Sequence, residues 1–385
     1  MDYLNAFDDV GPADRELADR TRALLEARLM PRVADLYEEG KFPADLIPEL
    51  AGLGLLGAHV PGQERVGPLA WGLALRELER ADSGLRSFVS VQSCLAMTAI
   101  ARFGSDAQKR EWLPRMAAGD AIGCFSLTEP AHGSDPAGME TRAEPTRDGW
   151  RLSGHKRWAT NSPIARLAII WAQTDPTIGA RGVRGFLVPL PQTGLEVRPI
   201  ERKLSLRISY SGEIFLRDVE LAAEALLPGA TSLGAALACL NEARYSIVWG
   251  AVGSAEACLE AALARTKARH QFGRALAAFQ LVQDKLVQML DDLTTAQLVA
   301  RRIADLKAAG QLRHQQTSFG KRHNVAAAQR TAARARALLG AEGIVVDSHV
   351  MRHMSNLESI ATYEGTDDIH TLVLGADITG QSAFR

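Results

Sequence analysis

Three acids fall within five residues of the stretch TYEGTDDIH, Thr362 to His370, and they are not equivalent. Thr366 is an N-cap residue type, and Asp367 and Asp368 then fall in the first helical turn, where a carboxylate faces the positive end of the helix dipole. Ile369, Leu372 and Val373 follow at the spacing of a buried helical stripe. Helix formation therefore accounts for both aspartates. Glu364 precedes the cap, so the helix does not need it, and Gly365 lets another group approach the backbone closely. A solvated loop acid and a carboxylate kept for proton transfer both fit that position.

Arg86 is the second informative residue. It sits in DSGLRSFVSVQS, an otherwise small and apolar stretch. A buried guanidinium costs several kcal/mol unless an anion pairs with it. Glu79, seven residues earlier, would give an internal ion pair, and a bound anion is the alternative.

Other patterns carry less. GLGLLG, Gly52 to Gly57, has the spacing of a dinucleotide loop, but a helical pattern precedes it where a strand is required, so glycines closing a helix are expected. His349 and His353 lie four apart without a HExxH motif or an evident third ligand, so no metal site is expected. His132, Ser134 and Asp135 in HGSD are sequence neighbours, which rarely form a catalytic triad in space.

The elements that must position these residues change character twice. Residues 1–120 read as helical, with apolar positions three and four apart in ADRTRALLEARLMPRVADLYEEG and Gly40 as a stop. From 121 to 228 the runs shorten to strands: AIGCFSL, a pair around the Asp148-Gly149 turn, LAIIWAQT, GVRGFLVPL, LEVRPI and SGEIFLRDVEL. Residues 229–385 are helical again, with Leu233, Leu237, Leu240 and Ile247, then Val282, Leu286, Met289, Leu293 and Ile303, at helical spacing. The alanine-rich VAAAQRTAARARALLG is closed by Gly340 and Gly343. Three domains are expected: α-helical, β-barrel-like, and a C-terminal four-helix bundle.

Composition narrows the class. Lys+Arg is 44 against Asp+Glu 45, a net charge of −1, which offers nucleic acid or an anionic membrane no electrostatic attraction. No apolar run is expected to span a bilayer. The acidic MDYLNAFDDVG start is unlike a secretory signal or a transit peptide. Cys94, Cys124, Cys239 and Cys258 show no CxxC spacing, so a reducing cytoplasmic setting is expected.

Several segments in order, GCFSLTEPAHGSD, KRWATNS, ARHQFGRALAAFQ, LLGAEG and TYEGTDDIHTLVLG, resemble the acyl-CoA dehydrogenase flavoproteins over nearly the whole chain. ELERADSGLRSFVSVQS, SLTEPAHGSDPAGMETRA, ERKLSLRIS, NLESIATYEGTDDIH and the terminal ITGQSAF are most similar to the glutaryl-CoA dehydrogenase branch. The chemistry so implied needs a carboxylate base at the thioester α carbon, oxidised flavin to take hydride from the β carbon, and hydrogen bonds to the thioester oxygen. The resemblance makes Glu364 that base.

It further implies that Phe125, Leu127 and Thr128 line the flavin ring of FAD and that Trp158 and Thr160 cover it. Arg269, Gln280, Leu339 and Gly340 would reach the FAD of a neighbouring subunit, and Thr366 and Asp368 would face its phosphate and ribose side. Ser134, Asn241 and Arg244, with Gly365, match positions on the CoA and thioester. Arg86, with Ser87 and Ser90, would hold the distal carboxylate of glutaryl-CoA, whose oxidation and loss of CO2 give crotonyl-CoA. Relatives often have two glycines and an asparagine at Gly340, Ala341 and Glu342, and histidine at Asp367, which bears on the pyrophosphate contacts. Electron-transfer flavoprotein as acceptor and a homotetramer are also implied. The competing expectations are another acyl-CoA or dicarboxyl-CoA without CO2 loss, a DNA-associated flavoprotein of the same fold, and a catalytically silent partner subunit.

Overall fold

The computed structural model describes residues 1–62 and 64–384. Its N-terminal part is helical: α1 (Pro12–Arg28), α2 (Val33–Glu39), α3 (Ile47–Gly52), α4 (Pro68–Ala81), α5 (Ser83–Ser90), α6 (Thr98–Phe103) and α7 (Asp106–Ala117). The first helical pattern is broken between α1 and α2, where Pro31 lacks the N–H needed to continue the ladder. Gly40 closes α2 in the left-handed conformation. Residues Val91–Met97 join α5 to α6 with the wider π-helical hydrogen bonding, which the sequence pattern did not reveal. Gly54 and Gly57, in the dinucleotide-like loop, have positive φ just after α3, and a Cβ at Gly57 would lie 2.6 Å from Met97 Cε.

The middle part is a sheet of β1 (Gly123–Ser126), β2 (Arg142–Pro145), β3 (Gly149–Thr160), β4 (Leu167–Gln173), β5 (Val183–Pro189), β6 (Leu195–Pro199) and β7 (Ser211–Ala222). Its order is β1-β4-β2-β3-β7-β6, with β5 also paired to β4. Strand periodicity divides the chemistry between two cores. On β4, Leu167, Ile169 and Trp171 join the core shared with the helices, whereas Ala168, Ile170 and Ala172 fill the inside of the sheet. A strand buried on both faces reads as one continuous apolar run, as LAIIWAQ does. On β1 the same alternation sends Cys124 inward and Phe125 toward the helices.

The C-terminal part holds α8 (Leu233–Ala268), the short hairpin β8 (His270–Gln271) and β9 (Arg274–Ala275), then α9 (Gln280–Ala308), α10 (His314–Leu339), α11 (His349–Thr362) and α12 (Asp367–Thr379). Two helical stretches, Ser83–Phe103 and Leu233–Ala268, are long and apolar enough to cross a bilayer, contrary to the sequence expectation. Their most apolar windows are 94% and 72% buried inside the protein, so the apolar surface is used in packing.

Glycines set the approach of α4 to α8. A Cβ at Gly72 would lie 2.2 Å from Trp249 Cε2, and one at Gly253 would lie 2.2 Å from the Arg76 carbonyl oxygen. Trp249 is fully buried and has nowhere to move. Gly72→Ala is therefore expected to destabilise the protein by about 1–3 kcal/mol through overpacking, read as a lowered urea midpoint at unchanged slope.

Candidate active site

A cavity of about 1080 Å³ lies where the three parts meet. Ser87 of α5, Val91 and Leu95 of the π-helical stretch, β1 and β3, α8, the 363–366 loop and α12 all contribute to its wall. It slightly exceeds the usual size of small-molecule sites, which leaves room for a large or two-part ligand.

Glu364 and Gly365 form a two-residue bridge between helices. Tyr363 caps α11 through its N–H to the Ser359 carbonyl, and Thr366 caps α12 by accepting from the Ile369 N–H at 3.2 Å. Between them Glu364 has φ 55° and Gly365 φ 94°. A glutamate in the left-handed region costs of order 1–3 kcal/mol and persists only where its surroundings impose it. Here they do. The Glu364 carbonyl accepts from Arg244 Nε at 2.9 Å, and Lys321 Nζ donates to the carbonyls of Tyr363 and Gly365. A Cβ on Gly365 would lie 3.0 Å from His370 Nε2, so the close approach expected of this glycine is to His370.

The Glu364 carboxyl lines the cavity, and its Oε2 is buried without a hydrogen-bond partner. Burial raises its pKa, against the opposing pull of Lys321, Arg86 and Arg244. The aspartates behave as the helix start predicts: both are exposed, and Asp367 lies 3.5 Å from Arg322 Nε. The stripe behind them differs from expectation. His370 is the buried residue, while Ile369 and Val373 face the cavity.

Arg86 is 1% exposed and lies behind a wall that includes Ser87 and Tyr363. Its Nε donates to Glu79 Oε2 at 2.6 Å and its Nη2 to the Tyr363 hydroxyl, so the internal pair foreseen with Glu79 is present. Burial lowers the guanidinium pKa, but Tyr363 and Glu79 more than offset it and the net direction is upward. Gly250 of α8 leaves room for the pair, since a Cβ there would lie 2.9 Å from Glu79 Oε2. Ser90 faces away from the cavity wall and bonds Ser246 Oγ at 2.8 Å, tying α5 to α8.

The remaining candidates divide cleanly. Phe125, Leu127, Thr128, Trp158, Thr160, Ser134, Asn241, Arg244, Gly365 and Thr366 all line the cavity. Trp158 has φ 62° at the register shift of β3, which leaves its side chain half exposed. Asn241 Oδ1 accepts from Arg244 Nη1 at 3.0 Å. Arg269 closes α8, Gln280 begins α9, and Leu339 with Gly340 closes α10, all away from this cavity; Asp368 points to solvent. His349 and His353 bond Arg352 and Ser254 Oγ, respectively.

Sequence reasoning missed four participants. Tyr363 was overshadowed by Glu364. Lys321 occupies the buried face of α10 with Thr317, Asn324 and Ala328, so a lysine in a helix's inward stripe was the available signal. Glu129, a cavity-lining residue, and Lys156 behind it, 27 residues apart, form a buried pair at 2.7 Å.

Sequence families described as the acyl-CoA dehydrogenase N-terminal, middle and C-terminal domains match residues 11–120, 124–219 and 233–379. The chain belongs to the acyl-CoA dehydrogenase family. The short-chain specific acyl-CoA dehydrogenase of Bos taurus is 33% identical over 94% of this chain and 89% of its own. A glutaryl-CoA dehydrogenase of Mycobacterium smegmatis is 49% identical with TM-score 0.95, over 98% of this chain and 97% of that one. A second from the same organism, in complex with FADH2, is 46% identical with TM-score 0.95 over the same shares. The cofactor of this acyl-CoA dehydrogenase is FAD. The cavity suits its flavin ring, with Phe125 and Leu127 on one wall and the half-exposed indole of Trp158 on another.

The Glu129–Lys156 pair supports that wall. Glu129 also accepts from the N–H groups of Glu140 and Thr141 at 2.6 and 2.9 Å, and Lys156 donates to the Leu127 carbonyl at 3.1 Å. Burial pushes the Glu129 carboxyl up, but Lys156 and these donors outweigh it and hold it down at about 2. A depressed folded pKa gives stability that is complete above the unfolded value of about 4.3 and is lost as pH falls toward 2. Glu129→Gln should flatten the acid limb of a urea-midpoint profile between pH 5 and 2.

Proposed function

We propose that this acyl-CoA dehydrogenase acts on glutaryl-CoA, releasing CO2 and forming crotonyl-CoA. The observation that carries the proposal is the placement of a fully buried arginine, bonded through Tyr363, next to the carboxylate that faces the cavity. Arg86 uses Nε and Nη2 within the protein, and a guanidinium has five N–H donors, so three remain for a substrate carboxylate that reaches past the Ser87 and Tyr363 wall. The likeness to glutaryl-CoA dehydrogenases at 49% and 46% identity supports the same choice.

In this reading Glu364 removes the α proton of the thioester. Its desolvation raises its basicity, and the left-handed backbone aims it into the cavity. Bound FAD supplies the acceptor for the hydride that leaves the β carbon. Arg86 holds the distal carboxylate until the new double bond is formed. The carbon–carbon electrons then delocalise to the thioester as CO2 departs, and protonation at the γ carbon completes crotonyl-CoA. Electrons pass on to an electron-transfer flavoprotein. A homotetramer belongs to the same reading: Phe272, Leu281 and Val287 are exposed apolar residues on the β8–β9 hairpin and α9, near Arg269 and Gln280. The free, buried cysteines suit the reducing cytoplasm.

A second reading is oxidation of a short acyl-CoA without CO2 loss. The completed Arg86–Glu79 pair and the likeness to a short-chain enzyme favour it. Purified protein mixed with glutaryl-CoA or butyryl-CoA and a dye acceptor, with CO2 measured, separates the two.

Glu364→Gln should retain FAD yet slow flavin reduction at least about a hundredfold, the scale of a lost general base. In wild type the reduction rate should rise with pH through a midpoint above the ordinary carboxylate value of about 4.3, because the base acts deprotonated and burial raises its pKa. Stopped-flow reduction across pH measures both, and wild-type reduction by the glutamine variant assigns the base elsewhere.

Arg86→Ala should lower kcat/KM for glutaryl-CoA far more than for butyryl-CoA, by about 2–5 kcal/mol of transition-state stabilisation. Arg86→Lys should recover part of it, since an ammonium lacks the planar fork. An unchanged ratio of the two specificity constants removes the case for glutaryl-CoA.

A further inference from the structure

Lys321 is 1% exposed, and the reaction just described does not use it. A buried lysine is costly unless its hydrogens find acceptors. It finds two, and both belong to the bridge that carries Glu364: the carbonyls of Tyr363 and Gly365. Arg244 of α8 takes the carbonyl between them. Three consecutive carbonyls are thus held by two cations from different helices. Packing fixes the lysine's own position, since a Cβ on neighbouring Gly320 would lie 2.2 Å from Ile303 Cδ1 of α9.

We propose that Lys321 is a positioning residue for the base: by gripping the carbonyls on either side of Glu364 it imposes the left-handed backbone that aims the carboxylate into the cavity. This rests on the reading of Glu364 as the base. The charged and titratable groups around Glu364 are Arg86 of α5, Cys94 of the π-helical stretch, Arg244 of α8, Lys321 of α10, Tyr363 beside it, and Asp367 and His370 of α12. Among the cations, Lys321 exerts the largest opposing pull on the burial-raised Glu364 carboxyl. Burial pushes Lys321 itself down to about 7, against the attraction of Glu364. Each group favours the charged form of the other, and removing the lysine therefore raises the proton affinity of the base.

The test is flavin reduction by saturating acyl-CoA across pH in the FAD-loaded enzyme, with Lys321→Gln and Glu364→Gln in parallel. Lys321→Gln should keep FAD and the Kd for a CoA ester within about twofold, slow reduction per bound flavin about tenfold or more, and move the midpoint up by about one pH unit. A merely structural lysine would lower thermal stability and leave rate per flavin and midpoint at wild-type values, which overturns the proposal. Rapid reduction in Glu364→Gln would instead overturn the assignment of the base. Should Lys321→Gln fail to fold, Lys321→Arg decides. It keeps the charge but replaces one compact donor by a fork. A severalfold slower rate with an unmoved midpoint supports the grip, and an unchanged rate refutes it.

Discussion

A glutamate held at positive φ, between two helices and over a cavity, is the constraint on which the rest of the site depends. Left to itself the backbone of Glu364 would relax to the right-handed or extended region, swinging the carboxyl elsewhere. The cations that hold its carbonyls come from α8 and α10, so the bridge is right only when those helices are packed in their final relation. The same arrangement leaves the carboxyl desolvated and without a hydrogen-bond partner at Oε2. In a stable protein that is an unfavourable state for an acid, and in a base it is the source of reactivity.

Close helix approach provides the scaffold. Gly72 and Gly253 let α4 and α8 touch through backbone and indole, and Gly250 opens the space in which Glu79 meets Arg86. A polar layer continues behind that pair, through Ser254 to His353, while Arg352 pairs with fully buried Asp82. Such buried pairs are marginal for stability, because desolvation cancels much of the Coulombic attraction. Their effect here is directional: they fix one orientation of the Arg86 guanidinium relative to Tyr363.

The sheet contributes through its period of two. With Cys124 turned into the sheet, Phe125 and Leu127 must turn toward the helices, and they become cavity wall. The Glu129–Lys156 pair then anchors the chain just past β1 to β3. Two unlike packing problems, a sheet interior and a helical core, are thereby joined along single strands.

Local chemistry made much of this legible in the sequence. Helical and two-residue periodicities gave the succession of helices, sheet and helices, and the Thr366 cap with its two aspartates followed from residue type alone. The order of the quoted segments carried the family and its cofactor. What the sequence could not express were relations between residues far apart in the chain: Lys321 under the 363–365 carbonyls, Glu129 against Lys156, and the turn of Ser90 toward Ser246. Whether Glu364 was an idle loop acid or a buried one also lay beyond local pattern. Burial, and with it proton affinity, is set by which helices close over a residue, and that is decided only when the chain has folded.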